Sequence, residues 1–201
     1  MIVDMSEISK ADIYRLMTHS VIPRPVAWVL SENDTGNFNL APFSYFNVIA
    51  SDPALLMFSV GHKRDGSKKD TWHNIEQRER FVIHLGVANL AEQLNETARS
   101  LPAGESELER IDSQLIEDAG FGWPRLADCP IAFACQRYDI HLLGDGPQAV
   151  IYAEIKHAYI SDQVLDADTG LPRADKIAPL ARLGGEQYAS LGEIFSLPRP
   201  V

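Results

Sequence analysis

Lys63, Arg64, Lys68 and Lys69 place four cations within seven positions, with Gly66 and Ser67 between them. Residues of these types at this spacing can hold an anion. Lysine supplies a point charge, arginine a two-pronged fork, and Ser67 and Thr71 supply hydroxyl donors. Asp70 and Thr71 read as the opening of a helix. A glycine-containing loop that feeds a helix N-terminus turns backbone N–H groups outward, and the helix dipole there favours negative charge. The local sign reverses that of the chain, in which 18 Lys and Arg face 28 Asp and Glu for a formal net charge of −10. Most charge runs are solvated faces. This one joins charge, glycine and a helix start, so we read it as a phosphate grip.

A second stretch, Asn39–Asn47 (NLAPFSYFN), offers different chemistry. Phe43, Tyr45 and Phe46 suit the apolar face of a flat ring. Ser44, Asn47 and the backbone suit a polar ring edge. In a regular strand Phe43 and Tyr45 point opposite to Ser44 and Phe46, so some of these side chains must be core.

Other candidates carry less. The six histidines (His19, His62, His73, His84, His141 and His157) show no metal-ligand spacing, and there is no CxxC or HExxH, so a metal site has no support. His84 and His157 read as structural strand residues; His62 and His73 lie near enough to the basic loop to touch a ligand. Cys129 and Cys135, if the chain between them is extended, lie roughly 20 Å apart and read as reduced, partly buried thiols. Gly144–Ala149 spells GxGxxA, but a strand follows it and Pro147 lies inside it, so the dinucleotide fingerprint fails its context. Asn95-Glu96-Thr97 is a glycosylation sequon without a secretory signal.

The 201 residues can bury a sizeable core, and no composition break marks a linker, so the chain reads as one domain, 1–201. The acidic balance argues against nucleic acid and against an anionic membrane surface. No apolar run approaches the roughly 20 residues of a membrane span, and the acidic, polar N-terminus is no secretory signal. We expect a cytoplasmic protein.

The elements that must position these residues follow from pattern. A short helix, capped by Ser9 and Asp12, should end near Thr18–Ser20. Val26–Leu30 and Asn37–Phe43 read as a hairpin around Glu32–Gly36. Ser44–Ser51 stays extended to a turn at Asp52-Pro53. Leu55–Val60 reads as a strand buried on both faces. Thr71–Gln77 should be helical with Trp72 and Ile75 inward, Phe81–Leu85 a strand, and Asn89–Ala98 a helix. Residues 99–128 read as a long excursion with one short helix. Ile131–Leu143 and Val150–Ile160 read as long strands joined by GDGP, and a short helix is expected near Gln187–Leu191. This order predicts a mostly antiparallel barrel with peripheral helices, not a parallel Rossmann sheet.

PRPVAWV, NLAPFSYFN, SDPALLMFSVG, RDGSKKDT and ARLGGEQYASLGE, in this order from about Ile13 to the end, together resemble the flavin reductase-like, FMN-binding split-barrel family. The resemblance implies a six-stranded antiparallel split β-barrel, a homodimer, and FMN near the dimer interface. It implies that Phe43, Ser44, Tyr45, Phe46 and Asn47 lie along the isoalloxazine ring and that Ser59 lies beside the ribityl chain. Arg64, Lys68, Lys69, Asp70 and Thr71 match the family's phosphate loop. Arg182 and Tyr188 match a block that comes near the flavin. Hydride chemistry belongs to the flavin, so no catalytic acid or base is expected from the chain. The expected activity is transfer of hydride from NADH or NADPH to FMN, with the reduced flavin serving a partner monooxygenase or another acceptor. The alternatives are a flavoredoxin-like carrier without NAD(P)H activity, and a barrel that has lost its flavin. For residues 99–128 we expect a dimer contact or a lid over the flavin.

Overall fold

A computed structural model of the chain describes residues 1–144 and 148–200. Seven strands form one sheet: β1 (Ala27–Glu32), β2 (Phe38–Phe43), β3 (Phe46–Ser51), β4 (Ala54–Val60), β5 (Arg80–Leu85), β6 (Ile131–Leu143) and β7 (Gln148–Ile160). Their order is β2-β1-β5-β6-β7-β4-β3, and each neighbouring pair is antiparallel. The edge strands β2 and β3 are consecutive in the chain, separated only by Ser44 and Tyr45. The two edges of the sheet must therefore meet, and the sheet curls into a barrel with its seam at those residues. The Ser59 N–H of β4 donates to the Tyr45 carbonyl at 2.9 Å and ties the link to the neighbouring strand.

The helices are α1 (Lys10–Ser20), α2 (Asp70–Arg78), α3 (Ala91–Glu96) and α4 (Ala174–Ile177). The period-2 alternation of the strands sorts the core into two clusters. Ala27, Val29, Phe58, Phe81, Ile83, Ile151 and Ala153 face the barrel interior, where α2 adds Trp72 and Ile75. Trp28, Leu30, Val82, Ala132 and Ala134 face outward, covered by Leu94 of α3 and by Phe121 and Leu126 of the 99–128 excursion. Both faces of β1, of most of β5 and of the first half of β6 (131–135) are thus largely buried, and these stretches are mostly apolar.

Four expectations need correction. The sheet has seven strands rather than six, because the stretch after Phe43 leaves β2 at the seam and returns through Asp52-Pro53 as an edge strand on β4. β4 is buried on both faces only at its start: Leu56, Phe58 and Val60 are core and Leu55 is buried on the other face, where Met57 and Ser59 instead line a surface cavity. Gln187–Leu191 holds no helix. The Gln187 N–H bonds the Gly184 carbonyl at 3.1 Å, closing a hairpin in which Tyr188–Ala189 pairs with Ala181–Arg182 and that strand pairs with Arg24–Pro25. The helix expected over 89–98 divides into a 3-10 turn, Ala88–Leu90, and α3. The excursion contains a 3-10 turn, Glu107–Arg110, and a two-residue pairing of Leu115–Ile116 with Arg125–Leu126. The GDGP turn lies largely outside the described residues. Among the described residues, no helix is long and apolar enough to cross a membrane. Cys129 and Cys135 are free and buried, and burial pushes the Cys129 thiol up to about 12.

His84, fully buried on β5, pins the excursion to the sheet. The Leu126 N–H donates to its Nε2 at 2.9 Å, which leaves Nδ1 as the donor to the Trp28 carbonyl at 3.1 Å. Burial pushes its pKa down from 6.5 to about 4. The unfolded chain therefore takes up a proton near pH 6.5 that the folded chain refuses until about pH 4. This stability is fully present above that window and is lost as pH falls through it, by roughly 3 kcal/mol at most. Urea midpoints at about pH 7.5 and about pH 5 should show a larger fall for the wild type than for His84→Phe; equal falls would assign the acid sensitivity to carboxylates instead.

Candidate functional site

The basic loop is positioned by a buried polar network that no motif announces. Ser31, Asn33, Asn39, Thr71 and Asn74 are all at most 3% exposed. Asn39 Nδ2 donates to Thr71 Oγ1 at 2.9 Å and lies 3.4 Å from Ser31 Oγ. Asn74 Nδ2 donates to Ser31 Oγ at 3.1 Å and to Asn33 Oδ1 at 2.8 Å. These bonds clamp the first two turns of α2 to the β1–β2 hairpin. The loop before α2 closes on itself through Lys63 N–H to Ser67 carbonyl and Gly66 N–H to Lys63 carbonyl. Gly66 has φ 86°, a conformation that a side chain would strain.

The four cations are not equivalent. Lys63 pairs with Asp70 at 2.8 Å. Lys68 pairs with Glu76 at 2.6 Å and lies over the Trp72 ring at 5.0 Å. Ser67 Oγ donates to Asp65 at 2.6 Å. Arg64 is exposed, with no hydrogen bond or ion pair among the described residues. Lys69 likewise has no carboxylate partner among them; its ammonium lies 5.8 Å from the Phe43 ring centroid, and desolvation lowers its pKa. Lys69 is also the N-cap of α2 and makes no capping bond with its side chain, so the first-turn N–H groups lack a capping side chain.

Of the four cations, Lys63 and Lys69 line a cleft of about 110 Å³ with Phe43, Asp70 and Thr71, together with Asn39, Thr97, Arg99 and Glu107; Arg64 and Lys68 lie outside it. Arg99 is forked onto Glu96 at 2.8 and 3.1 Å. Glu107 is buried; the Leu40 N–H donates to its Oε2 at 2.9 Å, and burial raises its pKa. The cleft is too small for a whole cofactor, since such sites usually run from about 300 to 1,000 Å³, but it suits a phosphate. Ser44, Tyr45, Phe46, Asn47 and Ser59 instead line a second, apolar cavity of about 410 Å³ with Arg24, Met17 and Met57. Successive residues Phe43 and Ser44 thus line one hollow each.

Arg182 and Tyr188 fall in neither. The Arg182 guanidinium stacks 4.4 Å from the Tyr188 ring, and its nitrogens bond the Gln187 and Gly185 carbonyls. Both line a separate hollow with Asn95 and Glu186. Sequence reasoning missed Asn39, Thr97, Arg99, Glu107 and Arg24 as lining residues. Arg99 opens the unreadable excursion, and Arg24, although it lies in the PRPVAWV block, was assigned no role there.

A curled antiparallel sheet, with a small cleft that carries Lys69 and an apolar cavity on either side of its seam, is the architecture of a split barrel. The comparisons agree. Residues 17–180 match the flavin reductase like domain, and the chain belongs to that family of flavin-related oxidoreductases. It is similar over its whole length to nitrilotriacetate monooxygenase component B from Bacillus cereus, with 34% identity, TM-score 0.91 and 98% of each chain covered. It is similar to 2-nitrobenzoate 2-nitroreductase NbaA from Pseudomonas fluorescens, with 32% identity, TM-score 0.88, and 100% of this chain and 96% of that one covered. A split-barrel protein from Shewanella frigidimarina NCIMB 400 shares the fold at TM-score 0.84, with 18% identity and full coverage of both chains.

Truncating Asn74 to Ala leaves the buried Ser31 and Asn33 side chains short of a partner, and such a loss costs about 1–3 kcal/mol. A urea midpoint lowered to match is the expected result; an unchanged midpoint would show that α2 is held by its apolar face alone.

Proposed function

We propose that the chain is an FMN-dependent oxidoreductase that accepts hydride from NADH or NADPH, acting as one domain over 1–201, in a cytoplasmic homodimer. The observation that carries this reading is Lys69: an ammonium with no carboxylate partner among the described residues, at a helix start without a capping side chain, in a cleft of phosphate size next to the apolar cavity along the seam. Lys69 and the first N–H groups of α2 would hold the FMN phosphate, with Thr71 offering its hydroxyl. Ser44, Asn47 and the seam backbone would bond the polar edge of the ring. Phe46, Met17 and Met57 would cover its face and exclude water. Ser59 Oγ accepts from Gln148 Nε2 at 2.5 Å, which would orient its hydroxyl for the ribityl chain. When bound, FMN supplies hydride acceptance and donation; the chain binds, orients and shields it.

The likeness to a monooxygenase component B supports delivery of reduced flavin to a partner oxygenase. The likeness to a nitroreductase supports use of the reduced flavin in place. The excursion, whose Glu107 and Ser106 bond the β2 backbone, would act as a fixed wall of the cleft.

Lys69→Ala should weaken FMN binding about ten- to a hundredfold, the worth of one charge-assisted bond. Lys68→Ala should cost less, because Lys68 is already neutralised by Glu76. Fluorescence titration of FMN reads both, and an unchanged affinity for Lys69→Ala would sink the phosphate assignment. Adding NADH or NADPH anaerobically to the FMN-loaded protein should bleach its visible absorption; a spectrum that stays unbleached would point to an electron carrier without pyridine-nucleotide activity.

A further inference from the structure

We infer that Arg24 makes this site favour reduced over oxidised FMN, because its buried guanidinium is the cation that faces the charge gained on reduction. The inference rests on the reading that the flavin ring lies along Ser44–Asn47. Arg24 is 7% exposed. Its Nη1 donates to the Thr18 and Val21 carbonyls, each at 2.7 Å, and its Nη2 to the Leu183 carbonyl at 2.8 Å. Nε reaches Ser44 Oγ at 3.4 Å, and the guanidinium carbon lies 6.0 Å from the Tyr45 ring centroid.

Every one of these partners is neutral. Among the described residues no carboxylate pairs with Arg24, and no acidic residue lines the cavity it shares with Ser44–Asn47. A buried charge without a counter-ion is expensive. The Thr18 and Val21 carbonyls lie at the negative end of the α1 dipole and offset part of that cost. The remaining positive field points to an anion that arrives with the ligand.

Reduced FMN is such an anion. Two electrons and one proton, together one hydride from the nicotinamide, convert the neutral oxidised ring to a hydroquinone with one negative charge on its N1–C2 carbonyl edge. A guanidinium held by two carbonyls at the end of α1 and by the Leu183 carbonyl cannot move away when that charge appears. It therefore stabilises the product without reorganisation, which is how fixed charges act in water-poor sites. Charge placed near the ring is among the means by which a protein tunes its flavin.

The test compares the wild type with Arg24→Gln and Arg24→Lys, each loaded with FMN, by oxidised-FMN affinity and by midpoint potential above the N1 ionisation of the hydroquinone. Arg24→Gln should lower the preference for reduced FMN about tenfold, a midpoint shift of about 30 mV to the negative side for two electrons. Arg24→Lys keeps the charge and loses the fork, so its potential should stay near the wild type. Potentials that fall alike in both variants, or in neither, would overturn the inference and leave Arg24 a structural clamp. If neither variant folds, the wild type decides: its bound hydroquinone should lose the N1 proton at lower pH than free reduced FMN, and ionisation at the same or higher pH would overturn the inference. A wild type that holds no FMN would defeat the underlying reading as well, whereas one that binds FMN with no reduced-state preference would defeat this inference alone.

Discussion

Ser44 and Tyr45 are all that separates one edge of the sheet from the other. That constraint organises the rest. An open antiparallel sheet leaves two edges with unpaired backbone groups, which proteins must cover or blunt. Here the edges are joined by two residues, so the sheet has to curl until they meet. The link itself cannot pair along its length as a regular strand does. Its Tyr45 carbonyl is taken by Ser59 N–H, and the seam is the place on the barrel where main-chain polar groups, a serine and a tyrosine share a wall with an apolar cavity. Curling the barrel and presenting a polar–apolar surface for a ring are one event.

A seam needs support from both sides, and the chain supplies it by burying polar groups in satisfied sets. Beneath the cleft, Asn39 and Asn74 bridge the hairpin to α2. Beneath the cavity, Arg24 draws together the end of α1, the seam and the carbonyl of Leu183. Each set connects segments far apart in sequence, and a partly satisfied version of either would cost more than an apolar core. Among the described residues, the buried Trp72 Nε1 and Trp123 Nε1 have no hydrogen-bond partner; the Trp72 ring contacts Lys68 and His62.

What was legible in the sequence follows from this division. Strands β1, β5, β6 and β7 and helix α2 were readable because burial imposes a period, and Trp72 and Ile75 face inward as their spacing requires. The seventh strand was hidden because nothing in SYFNV says where an extended chain changes neighbours. A helix was expected over Gln187–Leu191, but Gly184 is where a hairpin turns and where a Cβ would meet the His19 ring at 2.3 Å, and Tyr188 pairs across it. The excursion stayed opaque because its anchors, His84 to Leu126 and Glu107 to Leu40, are single long-range bonds without local pattern. Arg24 was invisible for the same reason.

The basic run was legible as a cluster and misleading as a sum. Lys63 and Lys68 are neutralised by Asp70 and Glu76 within the same loop and helix, so in the proposed phosphate site the work would fall to Lys69 and to backbone N–H groups. Backbone donors are fixed by the fold and lose less to salt than a patch of surface lysines does. An acidic chain can thus keep a phosphate seat without a large positive field, which would also draw in nucleic acid and other polyanions. Lys69 and Arg24 then stand on opposite sides of the Phe43–Ser44 step, each without a carboxylate partner among the described residues. Two cations without carboxylate partners, one in each of two hollows that share the seam, would suit the proposed ligand, whose phosphate end is always anionic and whose ring end becomes anionic when reduced. The spacing of charge along the fold is the argument for FMN as cofactor, and it is independent of the number of lysines in the loop.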